Sequence, residues 1–161
     1  MKRDILKELE HLALTARLKR ISDNMLYSAK DLYKTLDLDI DPNWHLIFMM
    51  FKKKDILTMT EIAEAFQISQ TAVIKIIKKM KSKNYLINSK DPLDNRKQIL
   101  QLSKKAKREL PMLEKVWEAG EKTIKDILHD NKEIFEQLNM IEEAINKASY
   151  KERTIKHLKN D

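Results

Sequence analysis

Apolar positions in the first third of the chain recur at the three- and four-residue spacing of an amphipathic helix. Between Ile5 and Leu36 these positions hold mostly Leu, Ile, Met and Ala, which predicts one long helix with a single apolar face. The segment from Asp37 to Asn43 is acidic and contains a proline, so we expect a loop there. A second helix is predicted from Trp44 to about Lys53.

Two N-cap signals predict a pair of short helices in the middle of the chain. Thr58 and Glu61 have the spacing of a capping box and open a helix that runs to about Phe66. Ser69 is the N-cap candidate of the next helix, which should end near Asn84 because asparagine tolerates the left-handed C-cap conformation. The residues expected to be buried are Ile62, Ala63 and Phe66 in the first helix and Val73, Ile76 or Ile77, and Met80 in the second.

A β-hairpin is predicted after the second of these helices. Two short runs with partial alternation, residues 85–89 and 98–102, are separated by turn-forming residues at 91–95. A helix-turn-helix followed by a hairpin is a winged helix-turn-helix. Ser103 should then cap a helix that reaches about Asp130, and apolar positions from Ile134 to Ile145 predict another helix.

These elements predict a mainly α-helical fold in which a winged helix-turn-helix core with a two-stranded wing is flanked by helices at both ends. We divide the chain into N-terminal helices (1–56), the core (57–102) and C-terminal helices (103–161). The flanking helices carry apolar stripes with no partner in so small a domain. We therefore expect them to hold two copies of the chain together as a homodimer.

Composition excludes several classes of chemistry. The 161 residues include 1 Gly and 0 Cys, which argues against phosphate-cradling loops, dinucleotide folds, thiol catalysis and disulfides. The 4 His lack the close spacing of a metal pair, and no catalytic arrangement is evident. We expect no enzymatic activity, no cofactor and no metal. With no signal-like or membrane-spanning run, a cytoplasmic protein without a membrane partner is expected.

Charge is concentrated in one part of the chain. The formal net charge is +7, yet residues 69–108 hold 12 basic and 2 acidic residues and so carry +10, which leaves −3 for the remainder. Such segregation is typical of a protein that neutralises nucleic-acid phosphates. The alternative is a solvated lysine-rich surface that serves solubility.

Four segments carry a resemblance to a known family: residues 57–66, 69–83, the wing segment 91–96 and residues 100–103. On these residues the chain resembles the MarR (multiple antibiotic resistance regulator) family of bacterial transcription factors, and the order and length of the predicted helices agree with that family over essentially the whole chain. The segments 14–23 and 42–44 look most like MarR-type domains that are fused to an acetyltransferase in some bacteria. The sequence has Gln67, Asn84 and Ala106 where the family commonly has glycine. The resemblance implies a homodimeric regulator, most often a repressor, of double-stranded DNA sites.

In a helix-turn-helix, the first residues of the second helix lie against base edges in the major groove. Gln70 is suited to adenine and Lys75 to guanine, and Thr71 or Ile74 to a thymine methyl group. For Ile74, partial burial against the wing is the alternative. Lysines further along the helix are expected at phosphates. The predicted contacts in this helix are Ser69, Gln70, Thr71, Ile74, Lys75 and Lys79.

In the wing, the resemblance implies that Arg96 enters the minor groove. Asp94 would hold its guanidinium by a charge-assisted hydrogen bond, although such a pair on a surface is otherwise worth little. Lys97 completes the predicted DNA contacts of the wing.

Regulators of this family often bind a small aromatic effector between the dimer helices and the winged domain. Tyr33, Trp44, His45 and Phe48 are the candidates for lining such a pocket, and packing between the flanking helices and the core is the alternative. Two other functions stay open: a winged-helix protein-interaction module that does not bind DNA, and a cryptic enzyme or detached regulatory part of an acetyltransferase system.

Overall fold

The computed structural model of the chain describes residues 3–90 and 98–160. At the N-terminus it contains helix α1 (Ile5–Glu8), a 3-10 helix (Glu10–Ala13) and helix α2 (Leu14–Thr35). The prediction of one uninterrupted helix from Ile5 is therefore wrong. The helix is interrupted at Glu10, which has a φ of 42°. This is a left-handed conformation that an α-helix cannot contain.

An ion pair accompanies this break. Asp4 caps α1, and its two carboxylate oxygens each accept a hydrogen bond of 3.0 Å from the guanidinium of Arg20. In a continuous helix these two residues would lie about 24 Å apart along the axis. The periodicity of the apolar residues does not reveal this contact, because it is similar on both sides of the break.

The next three helices follow the prediction. They are α3 (Trp44–Lys53), α4 (Met59–Phe66) and α5 (Gln70–Ser82). The capping box of α4 is present: the Thr58 hydroxyl accepts from the Glu61 amide at 3.2 Å, and the Glu61 carboxylate accepts from the Thr58 amide at 2.7 Å. The Ser69 hydroxyl accepts from the Ala72 amide at 3.2 Å and caps α5.

Two non-glycine residues end α4 and α5 in the left-handed conformation. Gln67 has a φ of 51° and Asn84 a φ of 60°. Glycine adopts this conformation without strain, asparagine with little, and glutamine at a higher cost. The predicted role of Asn84 is confirmed, and both positions are ones at which the resembled family commonly has glycine.

The wing strands are β1 (Leu86–Lys90) and β2 (Gln98–Leu102), which pair antiparallel with Leu86 opposite Leu102. Leu57 forms a bridge to β2, since its amide donates to the Leu100 carbonyl at 3.1 Å and its carbonyl accepts from the Leu100 amide at 2.7 Å. The segment before α4 is thereby attached to the hairpin. The predicted hairpin is confirmed to within one residue.

The core of the winged domain lies between α3, α4, α5 and the hairpin. Of the alternatives Ile76 and Ile77, it is Ile77 that is buried, and Phe66 is only half-buried, contrary to expectation. Phe66 is the last residue of α4, where the chain turns toward Ser69. The largest fully buried side chains of this region are Trp44, Ile47, Phe48, Ile62, Val73, Ile77, Met80, Tyr85 and Leu100.

Three helices follow the hairpin, where two were predicted. They are α6 (Lys104–Leu128), α7 (Glu133–Lys147) and α8 (Tyr150–Asn160). The Ser103 hydroxyl accepts from the Ala106 amide at 3.0 Å and caps α6 as predicted. Helix α8 has a capping box that sequence reasoning missed: the Ser149 amide donates to the Glu152 carboxylate at 2.7 Å. The Ser-x-x-Glu spacing was the available signal.

The chain divides into two compact units, Met1–Pro111 and Met112–Asp161, with the boundary inside α6. The first unit contains the winged core together with α1 and α2. The second contains the rest of α6 with α7 and α8. The three-part functional division made from the sequence stays a prediction.

Candidate nucleic-acid interface

Helix α5 has a buried face and an exposed face. Val73, Ile77 and Met80 are at most 1% exposed and pack into the core. The predicted base-contacting residues Gln70, Thr71, Ile74 and Lys75 all lie on the exposed side. Ile74 is 49% exposed. The side chains on this face are of the types that can hydrogen-bond to base edges or contact a thymine methyl group in a major groove.

The start of α5 favours anions. Its first turn contains no acidic residue, and the unpaired amides of a helix N-terminus carry partial positive charge. Ser69 uses its hydroxyl oxygen to accept from the Ala72 amide. Because a hydroxyl group can accept and donate at once, its proton is still available for a phosphate oxygen.

Lysines along α5 and at its C-cap, Lys83, differ in whether they have an acidic partner. Lys75 and Lys78 are exposed and form no ion pair with residues in the described ranges. Lys79 lies 3.6 Å from the Asp41 carboxylate, measured from Nζ to Oδ2, and Lys83 is paired with Asp39. Sequence reasoning selected Lys79 for DNA contact but did not anticipate its carboxylate partner.

The wing residues selected from the sequence, Asp94, Arg96 and Lys97, lie outside the described residues. The strands that lead to this segment are described, and they bring Lys90 opposite Gln98 in register. The predicted roles of the three side chains stay predictions.

A hydrogen-bond network fixes the C-terminal end of α5, and sequence reasoning missed it. The Tyr85 amide donates to the Met80 carbonyl at 2.9 Å, and the Tyr85 hydroxyl donates to the Glu109 carboxylate at 2.7 Å. The Lys105 amine lies 4.2 Å from the centre of the Tyr85 ring and donates to the Lys83 carbonyl at 3.1 Å. The end of α5 is thus attached to the beginning of α6.

Tyr85 is 1% exposed and forms edge-to-face contacts with Trp44 and Phe48, at centroid distances of 5.7 and 5.9 Å. Burial, followed by the hydrogen bond to Glu109, raises the pKa of the Tyr85 hydroxyl well above its usual value. The tyrosine is therefore a protonated donor at neutral pH.

The four residues selected for an effector pocket differ in exposure. Tyr33, Trp44 and Phe48 are buried, and His45 is half-buried with Nδ1 2.7 Å from the Pro42 carbonyl oxygen. Tyr33 borders a groove of about 560 Å³ between α2 and residues 37–41, which the other three do not line. The effector site stays a prediction.

Residues 3–90 and 98–160 contain no cluster of three or more His, Asp or Glu side chains arranged to hold a metal ion. Over the same part of the chain, every helix is too short or too polar to cross a bilayer.

Comparison with solved structures identifies the fold. No protein-family model matches the sequence, and no curated protein sequence matches it either. Similar structures do exist, and they are transcriptional regulators of the MarR family. At identities below 25% the likeness establishes the fold: the chain has the winged-helix fold of MarR-family regulators.

Three of these structures show how far the likeness extends. The adhesin competence repressor AdcR of Streptococcus pyogenes is 22% identical, with 83% of this chain and 96% of AdcR covered at a TM-score of 0.58. MepR of S. aureus, in a complex with DNA, is 19% identical over 83% of this chain and 96% of MepR, at 0.64. A MarR mutant from E. coli with operator DNA is 12% identical over 89% and 99%, at 0.65.

Proposed function

We propose that this protein is a sequence-specific double-stranded DNA-binding transcriptional regulator that acts as a homodimeric repressor. The exposed face of α5 carries the proposal, because it offers polar and basic side chains at the position of a recognition helix. Two proteins with this fold, MepR and MarR, have been crystallised with DNA. The proposal gives the chain no catalytic role.

Five exposed residues of α5 have a defined task in this proposal. Gln70 binds adenine through its amide, Lys75 binds guanine, and Thr71 and Ile74 contact thymine methyl groups. Lys78 contacts phosphate and so positions the helix without reading sequence. In the wing, Arg96, held by Asp94, enters a narrow minor groove, and Lys97 lies beside it.

Exposed apolar residues near both ends of the chain support the proposed dimer. Leu14, Leu18, Ile21 and Met25 are exposed on α2, and Ile134, Phe135 and Ile145 are exposed on α7. Two copies that bury these residues would present their recognition helices to half-sites about 10 bp apart. A small effector would then act by binding the two separations of these helices with different affinities.

The test selects duplexes from a random DNA pool and then titrates a selected duplex across a salt series. We expect one enriched, inverted-repeat sequence and an affinity that falls with a log-log slope of about −0.9 per phosphate neutralised. Gln70→Ala should reduce discrimination between selected and scrambled duplexes, whereas Lys78→Gln should weaken both equally. No enrichment, with weak and salt-independent association, would instead favour a protein-interaction module.

A further inference from the structure

An acidic loop, residues 37–41, runs between α2 and α3 with aspartates at positions 37, 39 and 41. Between them, Ile40 is 5% exposed and Leu38 is half-buried, and the Leu38 amide donates to the Tyr33 carbonyl at 2.8 Å. The apolar residues therefore attach the loop to the domain. Asp39 remains exposed on the attached loop, and Asp41 is half-buried.

The spacing of this loop matches the spacing of lysines on α5. Asp39 pairs with Lys83 and Asp41 pairs with Lys79. Two residues of extended chain span about 6.6 Å, and four residues of α-helix rise about 6 Å. Asp39 and Asp41, two positions apart, can therefore meet two lysines four positions apart.

These ion pairs divide the lysines along α5 and at its C-cap into paired and unpaired ones. Lys83 is additionally held over the Trp44 ring, with its Nζ 5.9 Å from the ring centre. Lys75 and Lys78, nearer the N-terminal end, have no ion-pair partner in residues 3–90 and 98–160. The positive charge offered to a ligand is thus reduced at Lys79 and Lys83 and not reduced by ion pairing at Lys75 and Lys78.

We propose that the acidic loop competes with DNA phosphates for Lys79 and Lys83, and thereby limits non-specific affinity. The inference rests on the DNA-binding function proposed above. Exposed ion pairs contribute little to stability, so a phosphate can displace a carboxylate. An aspartate that loses its lysine then takes up a cation from solution. Net cation release is therefore smaller than the number of lysines suggests.

The chain offers a matched control for the test. Asp31 and Asp37 border the same groove as Asp39 and Asp41, and neither forms an ion pair with another residue in the described ranges. Asp31→Asn with Asp37→Asn changes the net charge by the same amount as Asp39→Asn with Asp41→Asn. A general reduction of negative charge changes the DNA affinity of both double variants. Release of Lys79 and Lys83 changes the affinity of Asp39→Asn with Asp41→Asn only.

The experiment measures the affinity of each double variant for a non-specific DNA duplex between about 50 and 200 mM salt. Release of two lysines should steepen the slope of log affinity against log salt by up to about 1.8. The gain in affinity of Asp39→Asn with Asp41→Asn over the wild type should therefore fall about tenfold across that range. The control variant should keep the wild-type slope. Equal slopes in the two double variants would overturn the inference.

A second set of variants keeps the aspartates intact and so does not depend on how the loop tolerates substitution. Lys78→Gln, which removes a lysine assigned to phosphate and without an ion-pair partner in the described ranges, should lower the slope by about 0.9, whereas Lys83→Gln should change it little. Equal effects at the two lysines would also overturn the inference. If the wild type shows no salt-dependent binding, the proposed function itself fails. If it binds and these contrasts are absent, only the role of the acidic loop fails.

Discussion

Tyr85→Phe tests whether the network at the end of α5 stabilises the winged domain. The change removes one hydroxyl that donates to Glu109 at 2.7 Å and keeps the ring that packs on Trp44 and Phe48. Hydrogen bonds to charged groups contribute about 1.5–3 kcal/mol. Because the Glu109 side chain is 27% exposed, water can hydrate it in the variant, and we expect a loss of about 1.5 kcal/mol, at the lower end of that range.

Chemical denaturation of both proteins, followed by circular dichroism, measures this difference. Tyr27→Phe is the matched control, since Tyr27 is 71% exposed and its change should stay within about 0.5 kcal/mol of the wild type. A Tyr85→Phe variant as stable as this control would show that the hydrogen bond makes no net contribution, and the reasoning from burial and geometry would be refuted.

The wild type and Tyr85→Phe should also differ in how their stability changes at high pH. The pKa of Tyr85 is raised in the folded protein by burial and by Glu109, so the unfolded state loses this proton first, near the ordinary value of 10.0. The stabilisation that comes from the protonated Tyr85 hydroxyl is complete below that pH and is lost as the pH rises above it. The wild type should therefore lose more of its free energy of unfolding above pH 10 than Tyr85→Phe does. Parallel pH profiles would contradict this account.

Four further predictions concern the helix caps and the wing. Thr58→Ala removes the cap of α4 and should cost about 1 kcal/mol of unfolding free energy in urea titrations. Hydrogen bonds from Lys54 and the Thr58 amide lower the pKa of Glu61 below 4.5, so the wild type should lose stability as the pH falls below that value, and Glu61→Gln less so. Gln67→Gly relieves a left-handed glutamine and should raise the thermal midpoint, with the gain partly offset by unfolded-chain entropy. Arg96→Ala should weaken operator binding far more than Lys97→Ala, and equal losses in a titration would contradict the assignment of Arg96 to the minor groove.

Local signals were sufficient to predict most of the winged core. The Thr58–Glu61 capping box, the Ser69 cap, the Asn84 terminus and the Ser103 cap are all found where their residue types and spacing indicated. Such signals are reliable because the hydrogen bonds involved join residues about three positions apart. The exposed face of α5 was predictable for a similar reason, since the helical period requires that burial of one face exposes the other.

Local signals failed where a local conformation departs from the pattern around it. The break at Glu10 lies within an apolar stripe that continues on both sides. Helix α8 begins after a Ser-x-x-Glu signal at Ser149 of the same kind as the others, although no helix was predicted beyond Ile145. The break is accompanied by the Asp4–Arg20 ion pair, a contact that apolar periodicity does not reveal, whereas the signal for α8 is local.

The sequence by itself determined the winged helix-turn-helix, the concentration of positive charge on it and the side chains that α5 exposes, because these follow from spacing within short segments. Only the tertiary structure decided which distant groups meet. Asp39 and Lys83 are 44 positions apart and Tyr85 and Glu109 are 24 apart. A helical period states that a residue faces inward or outward, but it carries no information on which residue of another element lies opposite. The pairing of Asp39 with Lys83 and of Asp41 with Lys79 could therefore be found only in the tertiary structure.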